Sequence, residues 1–432
     1  MTGLLGTLQT AKSGMIASKT AIQTTSHNIS NLNTPGYTRQ RVEQTTSRPY
    51  TSIGYNSHHG PGQLGTGVTV NDVTRIRNSF YDFQFRSESH KYGEVNIKSD
   101  YYRNMENIFD EPSKNSISAS INDFFNSLNE LSKDPNSVGA KNVAIEKAKF
   151  LSNNINSINS KLETLNEQLN SQTESIVSDI NNKILQIKEL DKNIKLIQGA
   201  NKSPNDLLDQ RDNLMDELSF KIDVNDDSVK AVFDVEGKDA NVQANDLEVL
   251  KSKIKEKSLS GELSGTKAMK AEIEKYQNKL RTLSNAITAN INNVYKGKEN
   301  IFVAGKNGKL IDVNPNIIKD VSKLEMTSSK ALELYDIQNK KVNIDGEDIT
   351  VGNYYNGTIQ ELGQSSQIAK KQEFNNSKLL HSIDKSRMSI SGVSMDEEIV
   401  NLVQLQHAYN ASAKVISTID SLLNVVVNGL IK

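Results

Sequence analysis

From Leu4 onward, apolar or small residues recur at Leu8, Ala11, Met15, Ser18, Ile22, Thr25, Ile29 and Leu32, in alternating steps of four and three. That spacing predicts a helix with a heptad seam, the pattern by which helices pack along a shared line. The C-terminal stretch repeats it through Leu402, Leu405, Tyr409, Ser412, Ile416, Ile419, Leu423, Val426 and Leu430. Its opening, SGVSMDEE, offers Ser394 as N-cap and Glu397 at the capping-box position, with Asp396 and Glu398 suiting the positive helix end. Both ends of the chain thus read as long, thinly hydrophobic, coiled-coil-like helices.

Between them the periodicity stays mostly helical. IRNSFYDFQFRSE, residues 76–88, reads as a strand or turn entering a helix, and residues 118–132 as an amphipathic helix stopping before Asp134-Pro135. A long helix over 138–198 carries Ile155, Ile158, Leu162, Leu165 and Leu169. After a shift its stripe continues through Ile176, Ile180, Ile184, Ile187, Ile194 and Ile197, and Gly199 is placed at C′. SPNDLLDQRDNLMDELS, residues 203–219, begins a new helix with Ser203 as N-cap, Pro204 at N1 and Asp206 at N3. Further helices are predicted over 267–295 and 358–386. Alternation suggests a hairpin around Glu236-Gly237-Lys238 and short strands within 298–355. The fold class predicted is mainly α with small β-containing insertions. The terminal layer is 1–45 paired with 390–432, a helical middle domain covers 46–221 and 264–389, and a small outer α+β or β region covers 222–263 and 298–355.

The first helical stripe ends at NISNLNTPGYTRQ, residues 28–40. Thr34 precedes a proline and is pushed to extended backbone; Pro35 fixes the second position of a turn, and Gly36 can supply the positive φ of a type II turn. Tyr37 can then fold back over the last helical turn.

Composition narrows the function. The 432 residues carry 51 basic and 52 acidic side chains, which argues against nucleic-acid binding through a broad basic face. The absence of Cys excludes disulfides and thiolate chemistry, and no apolar run approaches a membrane span. An intracellular coiled-coil scaffold and a protein exported without a cleaved signal both fit. His58-His59 lies in a Gly-rich loop without a neighbouring carboxylate, a poor start for a metal site. Asp206/Asp209 and Asp396/Glu397 are explained by helix-dipole compensation, and Asp209, Arg211 and Asp212 could form a structural ion cluster. Neither catalysis nor a cofactor or metal is expected.

The stretch 28–40 resembles the signature closing the N-terminal helix of the bacterial flagellar axial family, the rod, hook and hook–filament junction proteins. Asn28, Ile29, Asn31, Asn33, Thr34, Pro35, Gly36, Tyr37, Arg39 and Gln40 carry the match, with Ser30 where Ala is more usual. Residues 203–219, EIEKYQNKLRTLSNAITANINNVY and SGVSMDEEIVNLVQLQHAYNASAKVISTIDSLLNVVV are similar to the junction members. The resemblance implies a structural, non-enzymatic role joining hook to filament and needed for filament assembly, after type III export without signal cleavage. It also implies termini that are disordered in the monomer and form an inner tube on assembly. The implied partners are the hook protein, a second junction protein (hook-associated protein 3), further copies of this chain, and a cytoplasmic export chaperone. That chaperone would cover the face Leu402, Leu405, Tyr409, Ile416, Ile419, Leu423 and Val426. Another axial protein, hook or distal rod, or an exported adhesin or enzyme with flagellar-type termini, is the alternative.

Overall fold

Long helices dominate because apolar stripes, not local caps alone, select them. The computed structural model describes residues 3–48, 65–227, 229–230 and 260–429. Helix α1 (Leu4–Ser30) leads through the bend to an antiparallel pair, β1 (Gln40–Thr46) and β2 (Val68–Arg75), with a register shift between Glu43 and Gln44. Then come α2 (Ser79–Phe109), α3 (Ile117–Lys133), α4 (Val138–Gly199), α5 (Asn205–Lys221) and α6 (Glu262–Tyr295). A short pair, β3 (Phe302–Ala304) and β4 (Ile311–Val313), precedes α7 (Pro315–Lys319) and α8 (Ser328–Asp336). A second, β5 (Val342–Ile344) and β6 (Glu347–Ile349), leads into α9 (Val351–Ser391) and α10 (Met395–Gly429). The fold is mainly α with small β insertions, as the periodicity indicates.

The main core lies between α3, the first half of α4, and α6. Ile121, Phe124 and Leu128 of α3, Leu151, Ile155 and Leu162 of α4 and Tyr276, Leu280 and Leu283 of α6 are buried in one cluster, with Tyr101, Met105 and Phe109 of α2. Ser116 and Ser137 start α3 and α4 by accepting hydrogen bonds from the Ala119 and Ala140 amides. Residues 298–355 do not stand apart from this body: Phe302, Ile311, Val313, Leu334 and Ile344 are buried in the same core. The second half of α4 packs Ile176, Ile180, Ile184 and Ile187 against Leu218 of α5 in a separate cluster. The shift in the α4 stripe is therefore a change of partner. Helix α9 lies along α2, joined by Ser99 Oγ donating to Glu373 at 2.7 Å and the Lys370–Glu106 pair.

Several local expectations are corrected. Gly199 is the last residue of α4, and the left-handed conformation falls on Asn201 at φ 54°. Pro204, not Ser203, takes the N-cap position of α5, because the Ser203 hydroxyl is turned to Asp72 at 2.5 Å. Arg211 leaves the Asp209–Asp212 group and pairs with Asp191 of α4 at 2.7 Å. Helix α6 starts before 267, and α9 extends beyond 358–386 at both ends. Strand β1 was not foreseen, its sequence QRVEQTT being too polar to alternate clearly. His58, His59, Leu430 and the hairpin around Glu236-Gly237-Lys238 lie outside the described residues.

The terminal helices α1 and α10 pack on each other along a line that shares only the small members of the expected column of α1, Ala11, Ser18 and Thr25. Ala11, Ser18, Ala21, Thr25 and Asn28 are buried; Met15, Ile22 and Ile29 are only half-buried, and Leu4 is exposed. Gly14 belongs to the same line, since a Cβ there would stand 3.3 Å from the Ser412 hydroxyl. Small side chains let the two backbones approach, and the larger ones are displaced sideways. In α10, Leu402, Leu405, Tyr409, Ile416 and Leu423 are half-buried and Ile419 is buried, whereas Val426 is exposed.

Candidate assembly site: the bend that joins the termini

The chain reverses at residues 34–37. Tyr37 N donates to Thr34 O at 3.2 Å and Gly36 has φ 75°, the turn that Thr-Pro-Gly-Tyr predicts. Asn31 secures its entry: its side-chain amide donates to His27 O and its oxygen accepts from the Thr34 hydroxyl. Asn33, Thr34, Pro35 and Gly36 themselves are exposed. A Cβ on Gly36 would lie 2.7 Å from Asn213 Cγ, so α5 closes on the turn from one side.

Asn28 is the centre of the joint and only 1% exposed. Its Oδ1 accepts from Gln40 N at 3.0 Å and from the Tyr37 hydroxyl at 2.8 Å. Its Nδ2 donates to Gln40 O at 2.9 Å and to Glu398 Oε2 at 3.0 Å. One amide thereby ties α1 to the start of β1 and to α10, with every hydrogen-bonding position it has in use. Burial pushes the Tyr37 phenol well above its ordinary value, and Asp206, Asp209 and Glu398 add to this. The hydroxyl therefore remains a donor.

Arg39 and Gln40 point in opposite directions. Arg39 Nε and Nη2 both reach Glu398 Oε1 at 2.7 Å, Nη1 reaches Glu397 at 3.1 Å, and the Arg39 amide donates to Ser391 O. Glu398 is 2% exposed, so its charge is held by Arg39 and Asn28 together. Gln40 Nε2 donates to Asp206 at 2.9 Å and its Oε1 accepts from Asn205. The Thr38 amide donates to Asp209 at 2.9 Å. The signature is clamped between α5 on one side and the α9–α10 connection on the other.

Sequence reasoning brought out the bend but not its receivers. Local spacing explains Asp206, Asp209, Glu397 and Glu398 by helix dipoles alone. One signal was available: Glu398, Leu402, Leu405 and Tyr409 follow steps of four, three and four, so a carboxylate occupies the seam's own register. The face 402–426 and the bend meet only at this end of α10. Next to the joint, Leu32, Pro35, Met388, Ile390 and Val393 line an open cavity of about 450 Å³. Among the described residues no group of three or more His, Asp or Glu could hold a metal ion, and no helix is long and apolar enough to cross a membrane.

Three families match the chain: the flagellar hook-associated protein FlgK helical domain over residues 102–250, the flagellar basal body rod FlgEFG C-terminal family over 385–429, and the flagella basal body rod protein family over 8–38. Flagellar hook-associated protein 1 of Bacillus subtilis is 29% identical over 502 aligned residues, covering 100% of this chain and 99% of that protein. Along its whole length the chain is thus similar to a flagellar hook-associated protein. Its similarity to flagellar hook-associated protein 1 of Salmonella typhimurium is 33% over 48% of the chain, and to that of Escherichia coli 31% over 49%. Those two alignments span only 37% and 38% of the relatives' own lengths. The two segments that match rod families, 8–38 and 385–429, are joined by Asn28 through Glu398, and Arg39, one residue past the first, reaches the same carboxylate.

Proposed function

We propose that this protein is a hook-associated junction protein, a non-catalytic adaptor between hook and filament, with residues 1–45 and 390–432 as its axial layer. Residues 46–221 and 264–389 form the middle domain, with 298–355 packed into its core, and 222–263 the outer region. One observation carries the reading. Helix α10 packs one face on α1 and leaves a second apolar face open: Val400, Val403, Val415, Leu422 and Val425 are exposed, Val425 at 69%. Between Ile399 and Gly429 only Lys414 and Asp420 are charged. Surface of this kind calls for a protein partner. The occupants proposed are copies of this chain, the hook protein and hook-associated protein 3, met after export without a cleaved signal. Before export a cytoplasmic chaperone takes the face Leu402, Leu405, Tyr409, Ile416, Ile419, Leu423 and Val426, displacing α1 by helix-in-groove recognition. Negative-stain imaging of a deletion strain tests the role. Hooks without filaments and flagellin lost to the medium, both restored by the intact gene, are expected; normal filaments would overturn it.

A further inference from the structure

Helix α2 carries a histidine where water scarcely reaches. His90 is 8% exposed, and among the described residues its Nδ1 has no hydrogen-bond partner. Its Nε2 stands 3.6 Å from Asp223 Oδ2, a carboxylate on the first residues after α5. Asp223 is fixed from both sides: Ile222 and Val224 are buried with Ile180 and Ile184 of α4, and its Oδ1 accepts from the Asn225 amide at 2.9 Å. The ring therefore sits where the proposed outer region, 222–263, leaves the body after α5 and returns into α6. Packing at this point is tight. A Cβ on Gly93 would fall 2.1 Å from Phe220 O, and one on Gly265 would fall 2.8 Å from Glu94 O. The backbones of α2, α5 and α6 thus touch within about one turn of His90, and none of them can give room without moving the others.

The charges acting on the ring are Asp223 across the gap and Lys91, Glu88 and Glu94 on its own helix. From α6 and α4, Glu262 and Asp179 close on Lys221 at 3.2 and 3.1 Å. On α9, Glu373 is held by Ser99 and Asp384 by Arg387. Further along α5 an ion cluster gathers Arg75, Arg77 and Arg86 on Asp212, at 2.9, 3.4 and 3.3 Å. Paired carboxylates, ammonium and guanidinium groups keep their charge between pH 7 and about pH 5; histidine does not. Protonation would place a cation in a site shielded from water and give Nδ1 a hydrogen with no acceptor among the described residues. One carboxylate at 3.6 Å does not offset that cost. Burial accordingly pushes His90 below its ordinary value, with Lys91 in the same sense, against the pull of Asp223, Glu88 and Glu94. Once released, the ring binds its proton more readily. The contact is therefore at full strength above about pH 6.5 and weakens as pH falls through that value toward the depressed one. We propose that His90 is an acid-sensitive pin, which holds the two ends of the stretch 222–263 against α2 at neutral pH and lets them loosen in mildly acidic medium.

Hydrogen exchange on the full-length protein, corrected for the intrinsic pH dependence of amide exchange, tests the pin. From pH 7 to about pH 5, protection over residues 218–227 and 265–269 should fall about tenfold. The ceiling is about thirtyfold, the ratio of charged to neutral ring in an ordinary histidine at that pH. Residues 117–165 should keep their protection. His90→Phe fills about the same space, cannot charge, and should remove the fall. If that variant does not fold, the ring proton signals of the wild type serve instead. His90 is then expected to titrate below about 6.5, in step with the loss of protection. No fall in the wild type, tighter protection in acid, or a fall spread evenly into 117–165 would each overturn the inference. So would the same fall in His90→Phe, or a His90 ring that titrates at or above the ordinary value.

Discussion

An alanine at position 28 would remove four hydrogen bonds from the bend at once, leaving the Gln40 amide and carbonyl, the Tyr37 hydroxyl and Glu398 short of a partner. Buried polar groups left unmade cost more than a hydrogen bond contributes, so Asn28→Ala should destabilise by about 2–3 kcal/mol in urea titration. Asn28→Asp keeps the shape but sets a carboxylate against Glu398, and should be no better. At Gly36 two effects add. Its φ of 75° is unfavourable for any side chain, and a Cβ would press on Asn213 at 2.7 Å. Gly36→Val should therefore cost at least about 1 kcal/mol while leaving a folded monomer. Because the strain falls on the turn, junction assembly should suffer more than folding does. Wild-type swarming by that strain would show that the bend tolerates the distortion.

Among the elements, α10 has two apolar faces that can be separated by mutation. Ile416 and Leu423 lie toward α1, so Ile416→Asp/Leu423→Asp should part the terminal pair and weaken chaperone binding, read by calorimetry. The thermal unfolding of the α3–α4–α6 core should stay nearly unchanged. Val403→Ser/Leu422→Ser changes the open face and should leave the monomer's terminal exchange as in the wild type while reducing assembly on hooks. Equal effects of the two pairs on the monomer would show that both faces are packed within the chain. Helix α10 was legible from Leu402 to Leu423 because its stripe is made of large aliphatics. The buried line of α1 was legible only in part: Ala11, Ser18 and Thr25 stand in the heptad column, but Ala17, Ala21 and Asn28 lie beside it, and hydropathy does not mark close backbone approach. Strand β1 escaped notice for a related reason: its burial pattern in QRVEQTT barely alternates, and its pairing with β2 spans a long separation in sequence. The receivers Asp209 and Glu398 lie far along the chain from Thr38 and Arg39, and local spacing could only assign them to helix ends. Pro35 and Gly36 were legible because turn chemistry is local.

For the molecule as a whole, the ion cluster predicts how acid acts. Burial by itself would raise the Asp212 carboxyl, but Arg77, Arg86 and Arg75 together hold it below its ordinary value. A carboxyl depressed in the folded state binds its proton less readily than in the unfolded chain. Its contribution is thus complete above the ordinary carboxylate range and is lost as pH falls through that range toward the depressed folded value. Urea titration from pH 7 down to about pH 3 should accordingly show stability falling over the carboxylate range, and Asp212→Asn should abolish the part of that loss due to this group. Leverage gives the cluster a longer reach. Helix α4 has 62 residues, about 93 Å at roughly 1.5 Å per residue, and α5 grips its C-terminal half. A tilt of about 5° at that grip, about 65 Å from the far tip, would swing the tip by about 6 Å, on the same helical rise. In a ring of such subunits, an error too small to break any one contact at the pivot becomes a misfit wider than a side chain at the rim.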